Sequence, residues 1–255
     1  MTPTSLKQPV ETEDGERILR YRPGQRYIHL LVAVSFVLLF LSGLPLIFEP
    51  LSFLAAGGYS RIVHRIAAVG FMAVPFLYFF VDRAGMKELI KESFTYDKDD
   101  LRWLGHMGRY FLGNAADMPP QGRLNAGQKL HHAAVMILGA GVVFSGVIAW
   151  VWSGQLSATM LSWTMLIHNL SMLGLVLLLV GHIYFTVVYK ALTSMHTGYV
   201  PKQEARLEHA KWVAEVEERE AALCEAQERA AAALAAAEAE AGPDTGPDAD
   251  AERPE

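Results

Sequence analysis

The stretch Leu166–Phe185, LIHNLSMLGLVLLLVGHIYF, has no charged side chain yet holds two histidines, His168 and His182. About 20 apolar residues of helix cross a hydrocarbon core roughly 30 Å thick, so the segment reads as a membrane span. Imidazoles inside a bilayer are costly and turn toward the interior of a helix bundle. Fourteen residues of helix rise about 21 Å and rotate through about 1,400°, within ~40° of four whole turns. Both rings therefore leave nearly one face of the helix, at two depths.

Outward from this stretch, apolar blocks at 28–48, 62–81, 133–152 and 163–189 predict four spans. The fold class expected is all-α: an integral membrane four-helix bundle with cytoplasmic termini and a charged C-terminal helical tail. The formal net charge of −5 hides two unlike parts. Residues 203–255 hold 15 acidic and 5 basic side chains, so the preceding part is net positive. Lys7, Arg17, Arg20, Arg22 and Arg26 precede the first span. Arg83, Lys87, Lys91, Lys98, Arg102, Arg109, Arg123 and Lys129 lie between the second and third. The loops at 49–60 and 153–162 hold no Lys or Arg. Positive loops stay inside, which puts both termini and the long middle loop in the cytoplasm. The polar first 27 residues do not read as a cleavable signal peptide. The single cysteine, Cys224, excludes an internal disulfide framework and a cysteine-ligated iron–sulfur cluster held by this chain alone.

The chain is divided into a cytoplasmic segment 1–26, the membrane domain 27–200, an Ala/Glu-rich helical tail 201–241 and a disordered end 242–255. The tail's composition favours helix, and the end's disfavours any fold. Residues 83–129 mix apolar and basic residues at helical spacing and are expected to form helices on the cytoplasmic membrane face. No internal repeat is read from the sequence.

With the spans alternating in direction, His64 shares the outer level with His168, and His29 shares the inner level with His182. Span four is long enough to tilt, which brings the two inner histidines level. Two bis-histidine pairs suit two haem b groups, each iron taking two neutral imidazoles in an apolar slot. Interhelical hydrogen bonding by the same histidines is the alternative. His131 and His132 open span three and compete with His29 for the inner position. His106, His196 and His209 lie in polar segments and are expected to be solvated. Ser171, one turn past His168, suits either close approach of a porphyrin or small-residue helix packing.

The runs RYIHL, SRIVHRIAA, LNAGQKLHH and LIHNLSMLG…LVGHIYF together resemble the gamma subunit, cytochrome b556, of membrane-bound respiratory formate dehydrogenase. The resemblance covers about residues 17–215 and is most specific in the run Asn125–Lys129. It implies haem ligands at His29, His64, His168 and His182 in the same pairing. It also implies a quinone site (ubiquinone or menaquinone) at Asn125, Gly127 and Gln128, beside His182. The implied partners are an iron–sulfur beta subunit and a molybdenum- or tungsten-containing catalytic alpha subunit, with lipid and quinone but no nucleic acid. The implied location is the bacterial inner membrane. Electrons would run from the outer haem to the inner haem and on to quinone, with formate oxidised on another subunit. The ten or so extra N-terminal residues and the acidic tail depart from the family pattern. Two other readings carry different expectations: a cytochrome b for a nickel–iron hydrogenase or another molybdopterin oxidoreductase, and a haem-free transporter or anchor using its histidines as proton relays.

Overall fold

In the computed structural model, residues 10–12, 15–114, 117–189 and 191–241 are described. The reading of 242–255 as disordered lies outside them, as does part of the N-terminal segment. Four helices are long and apolar enough to cross a membrane. These are α1 (Pro23–Ile47), α2 (Tyr59–Val81), α6 (Ala126–Trp152) and α7 (Ala158–Val188). Their surfaces are inverted relative to a water-soluble core. Phe80, Leu41 and Val180 face outward, whereas Ser35, Ser42, Ser145 and Ser171 are buried. Lipid solvates the apolar side chains, and small hydroxyl residues let helices approach closely within the bundle.

The helices form two hairpins. α1 packs on α2, and α6 packs on α7. A 3-10 segment, Glu49–Gly58, joins the first pair. Gly57 and Gly58 reverse the chain there at φ 78° and 80°, a backbone region costly for any residue with a Cβ. At α6, the Asn125 side chain accepts from the Gln128 amide at 2.9 Å, and the Gln128 side chain accepts from the Asn125 amide at 3.1 Å. This reciprocal cap satisfies two amides that a helix start leaves open. At α1, Gln25 does the same for the Arg22 amide at 2.9 Å.

Three short helices connect the hairpins: α3 (Arg83–Phe94), α4 (Lys98–Gly105) and α5 (Met107–Phe111). They sit at the end of the bundle that carries the basic residues. Arg22 meets Asp82 at 2.8 Å, Lys129 meets Asp100 at 2.6 Å, and Arg123 meets Glu92. After α7 come α8 (Ala191–Thr197) and α9 (Lys202–Glu208). An element not expected from the sequence joins the two ends of the membrane domain. Strands β1 (Val10–Thr12), β2 (Gly15–Leu19) and β3 (Tyr199–Pro201) form an antiparallel sheet in the order β1-β2-β3, with Ile18 opposite Val200. The segments flanking the first and last spans therefore lie at the same end of the bundle, as an even number of crossings requires.

His106 and His196 are exposed, as expected. His209 is not: it is fully buried. The Arg20 guanidinium, which can only donate, meets its Nε2 at 2.9 Å, so Nδ1 carries the hydrogen and donates to the Gly122 carbonyl at 2.8 Å. Burial, with Arg20 and Arg123 adding to it, lowers the pKa to about 3 and keeps the ring neutral. A polar sequence context concealed a histidine that ties three segments together.

The tail helix α10 (Ala210–Ala241) continues beyond Lys211 as a compact unit of its own. It carries an i,i+4 pair between Glu225 and Arg229 at 3.2 Å.

Candidate functional site: paired imidazoles between two helical hairpins

Helix packing is concentrated within each hairpin, and across the space between hairpins the imidazoles meet in pairs. The ring centres of His64 and His168 are 6.4 Å apart, and those of His29 and His182 are 5.9 Å apart. Two imidazoles bound on opposite sides of one metal ion, each nitrogen about 2 Å from it, place their ring centres roughly 6 Å apart. Both spacings fit that arrangement. His131 also approaches His182, but its ring centre is 5.3 Å away, with the planes 17° apart. That is tighter than a shared metal allows and is the geometry of a stacking neighbour.

The outer pair opens onto a cavity of about 390 Å3 lined by all four spans. This is the size range of small-molecule clefts. Its walls are apolar, including Phe36, Phe40, Phe71 and Trp150, with Arg61 and Arg65 at the rim. Glycine flanks each imidazole. A Cβ at Gly43 would lie 3.4 Å from His64 Cε1, and one at Gly146 would lie 3.2 Å from His168 Cε1. At the inner level, His132 Nδ1 is buried and meets no hydrogen-bond partner among the described residues. An orphaned polar atom beside a pair of imidazoles is what a site built around a further group leaves behind. The residues present thus fit a planar, metal-centred cofactor at each level. Ser171 has the packing role: its hydroxyl abuts Gly141, where a Cβ would collide with it.

Asn125, Gly127 and Gln128 lie together at the start of α6. Asn125 is buried, and its side chain is fully engaged: Oδ1 caps the helix, and Nδ2 donates to the Tyr110 hydroxyl at 3.3 Å. Gly127 makes room for an indole, since a Cβ there would lie 2.8 Å from Trp103 Cη2. Gln128 uses its oxygen in the cap and keeps its NH2 for other partners. Tyr110 extends the network by donating to Glu208 at 3.3 Å. Burial raises the Glu208 carboxyl above the usual range, with nearby Glu204 adding to the effect and Arg20 and Tyr110 opposing it. Neither Tyr110 nor Glu208 stands out in the sequence. A tyrosine among apolar residues and a glutamate in a charged run become visible only when the fold joins them to Asn125.

The profile of the prokaryotic cytochrome b561 family matches residues 20–198. The chain belongs to the prokaryotic cytochrome b561 family. Cytochromes b carry haem b, so the family assigns the coarse chemistry that the paired imidazoles suit. Among curated proteins, the formate dehydrogenase cytochrome b556 (Fdo) subunit of Escherichia coli K12 is 26% identical over 208 residues, covering 79% of this chain and 94% of its own. The nitrate-inducible formate dehydrogenase cytochrome b556 (Fdn) subunit of the same strain is 26% identical over 215 residues, covering 81% of this chain and 95% of its own. The formate dehydrogenase cytochrome b556 subunit of Haemophilus influenzae is 22% identical over 213 residues, covering 81% and 86%. This cytochrome b561 family member is a membrane protein with four spanning helices. Its helix α10 lies outside the family match.

Proposed function

We propose that the chain is the dihaem cytochrome b subunit of a formate dehydrogenase, anchoring the complex in the bacterial inner membrane with both termini cytoplasmic. The observation that carries this reading is the meeting of four imidazoles, in two pairs at two depths, across the space between the hairpins. His64 and His168 hold the outer haem b, and His29 and His182 hold the inner one. The bound haems supply one-electron transfer from an external iron–sulfur subunit to quinone at the cytoplasmic end. Names of relatives support a formate dehydrogenase over a hydrogenase partner; an iron–sulfur beta subunit and a molybdenum or tungsten alpha subunit complete the proposed complex. Membership of a cytochrome family speaks against the haem-free transporter.

Quinone, ubiquinone or menaquinone, is placed at the start of α6. There the Gln128 NH2 is the group suited to a carbonyl, joined by the Tyr110 hydroxyl once Glu208 is protonated and no longer takes its hydrogen, while Asn125 fixes the position of both. Glu208, whose side chain is 22% exposed, reaches water and holds a proton at higher pH than an ordinary carboxyl. It therefore suits the resupply of protons through Tyr110. Asn125→Ala and Glu208→Gln are each expected to slow formate-dependent quinone reduction by about tenfold or more while leaving haem content and spectra unchanged. Stopped-flow quinone reduction on the purified complex reads this out. Unaltered turnover in both variants would place the quinone elsewhere.

A further inference from the structure

The two hairpins share one sequence frame. Setting Gln25 against Gln128 brings Gly24 onto Gly127, Arg26 onto Lys129, His29 onto His132, Ser42 onto Ser145 and Gly43 onto Gly146. Setting His64 against His168 brings Gly70 onto Gly174 and Tyr78 onto His182. The same frame appears in space. A Cβ at Gly70 would meet Ser35, and one at Gly174 would meet Leu138, and Ser35 and Leu138 are themselves equivalent. The two helical hairpins of the membrane domain thus share one frame in sequence and in space.

Around the outer imidazoles the two copies agree atom for atom. Ser42 Oγ donates to the Leu38 carbonyl at 2.5 Å and lies 3.2 Å from His64 Nδ1. Ser145 Oγ donates to the Gly141 carbonyl at 2.5 Å and lies 3.1 Å from His168 Nδ1. A hydroxyl has one hydrogen, and here the backbone takes it. Toward the imidazole the oxygen can only accept, so Nδ1 carries the ring hydrogen and Nε2 is bare. For His64 the Leu39 carbonyl, 3.1 Å from Nδ1, enforces the same tautomer. At the inner level the two copies differ: Tyr78 stands where His182 stands, although His29 and His132 are both histidine. Only the outer site is built twice from the same parts.

We infer that Ser42 and Ser145 are matched positioning residues of the outer haem site, each acting through the outer histidine of its own hairpin, so that the site lies on the internal two-fold relation of the chain. This rests on the reading of His64 and His168 as haem ligands. An acceptor on the ring N–H raises the basicity of the opposite nitrogen and stabilises the higher oxidation state of the iron. A backbone carbonyl, of Leu39 or Val142, still accepts from each ring N–H, so removing the serine changes the one-electron reduction equilibrium by at most about fivefold, a rise of up to roughly 40 mV.

The test is a spectroelectrochemical redox titration of the purified complex carrying Ser42→Ala, Ser145→Ala or both. Each single variant is expected to raise the outer midpoint potential by a similar amount, the double variant by about twice as much, with the inner potential unmoved. Ser145→Thr, which keeps the hydroxyl, is expected to match the unaltered protein. So is Ser35→Ala, which removes an equally buried hydroxyl that does not face an imidazole. Should an alanine variant lose the outer haem while the threonine variant keeps it, the positioning role is confirmed in stronger form. Haem retained at full content with both potentials unmoved, a shift confined to the inner haem, or equal haem loss in the alanine and threonine variants would overturn the inference. Absence of haem from the unaltered protein would instead overturn the ligand reading beneath it.

Discussion

His168→Ala is expected to cut the haem b content of the purified complex by about half, removing the outer haem and leaving the inner haem's spectrum and potential in place. The imidazole of His168 is one of two groups facing the outer position, 6.4 Å from its partner ring, and among the described residues lining the cavity there is no third histidine. Apart from His64, Arg61, Arg65 and Asn169, the rest of the cavity is lined by glycine and apolar side chains, and none of them offers a second imidazole. Ser145 keeps its bond to the Gly141 carbonyl in this variant, so the loss is confined to the ligand position. On the proposed electron path, formate-dependent quinone reduction is then expected to fall to background. Loss of the inner haem, or of neither, would break the pairing of His168 with His64.

His29→Ala carries the second large effect. It is expected to remove the inner haem, again about half of the total, and to abolish quinone reduction while the outer haem still reduces with formate. The competing ligands named from the sequence make this variant informative. His131 stacks on His182 at 5.3 Å, and His132 is the internal equivalent of His29. His131→Ala and His132→Ala are expected to retain both haems, with the inner potential alone altered. Low-temperature difference spectra with haem quantification distinguish the three variants. Retention of the inner haem in His29→Ala together with its loss in His131→Ala would move the ligand to His131.

Much of this was legible in the sequence because bilayer physics constrains it. Four blocks of sufficient length, charged only at Arg65, mark the spans, and loops sorted by positive charge give their expected direction. Helical pitch alone places His168 and His182 on one face, and alternating direction finds their partners. The shared frame was hidden because its matching residues are few, among them Gly24, Gln25, His29, Ser42, Gly43, His64 and Gly70 with their counterparts, in an apolar background that any span provides. The three connecting helices after the first hairpin have no equivalent after the second. The serines beside the outer imidazoles were missed because a hydroxyl within a span more often bonds its own helix, as Ser42 and Ser145 also do. His209 was misread because a histidine in a charged run looks solvated until Arg20 and the Gly122 carbonyl are brought to either side of it. Asn125 and Gly127 were marked by resemblance. The structure adds what each does locally, a helix cap and a seat for Trp103.

The most direct measurement is the haem stoichiometry and spin state of the unaltered complex, taken by pyridine haemochrome assay and electron paramagnetic resonance. The proposed reading of four imidazoles in two pairs predicts two haem b per chain, both low-spin with bis-histidine signatures and resolved in potential. A single haem per chain, a high-spin centre, or a colourless polypeptide isolated from haem-replete cells would contradict the account.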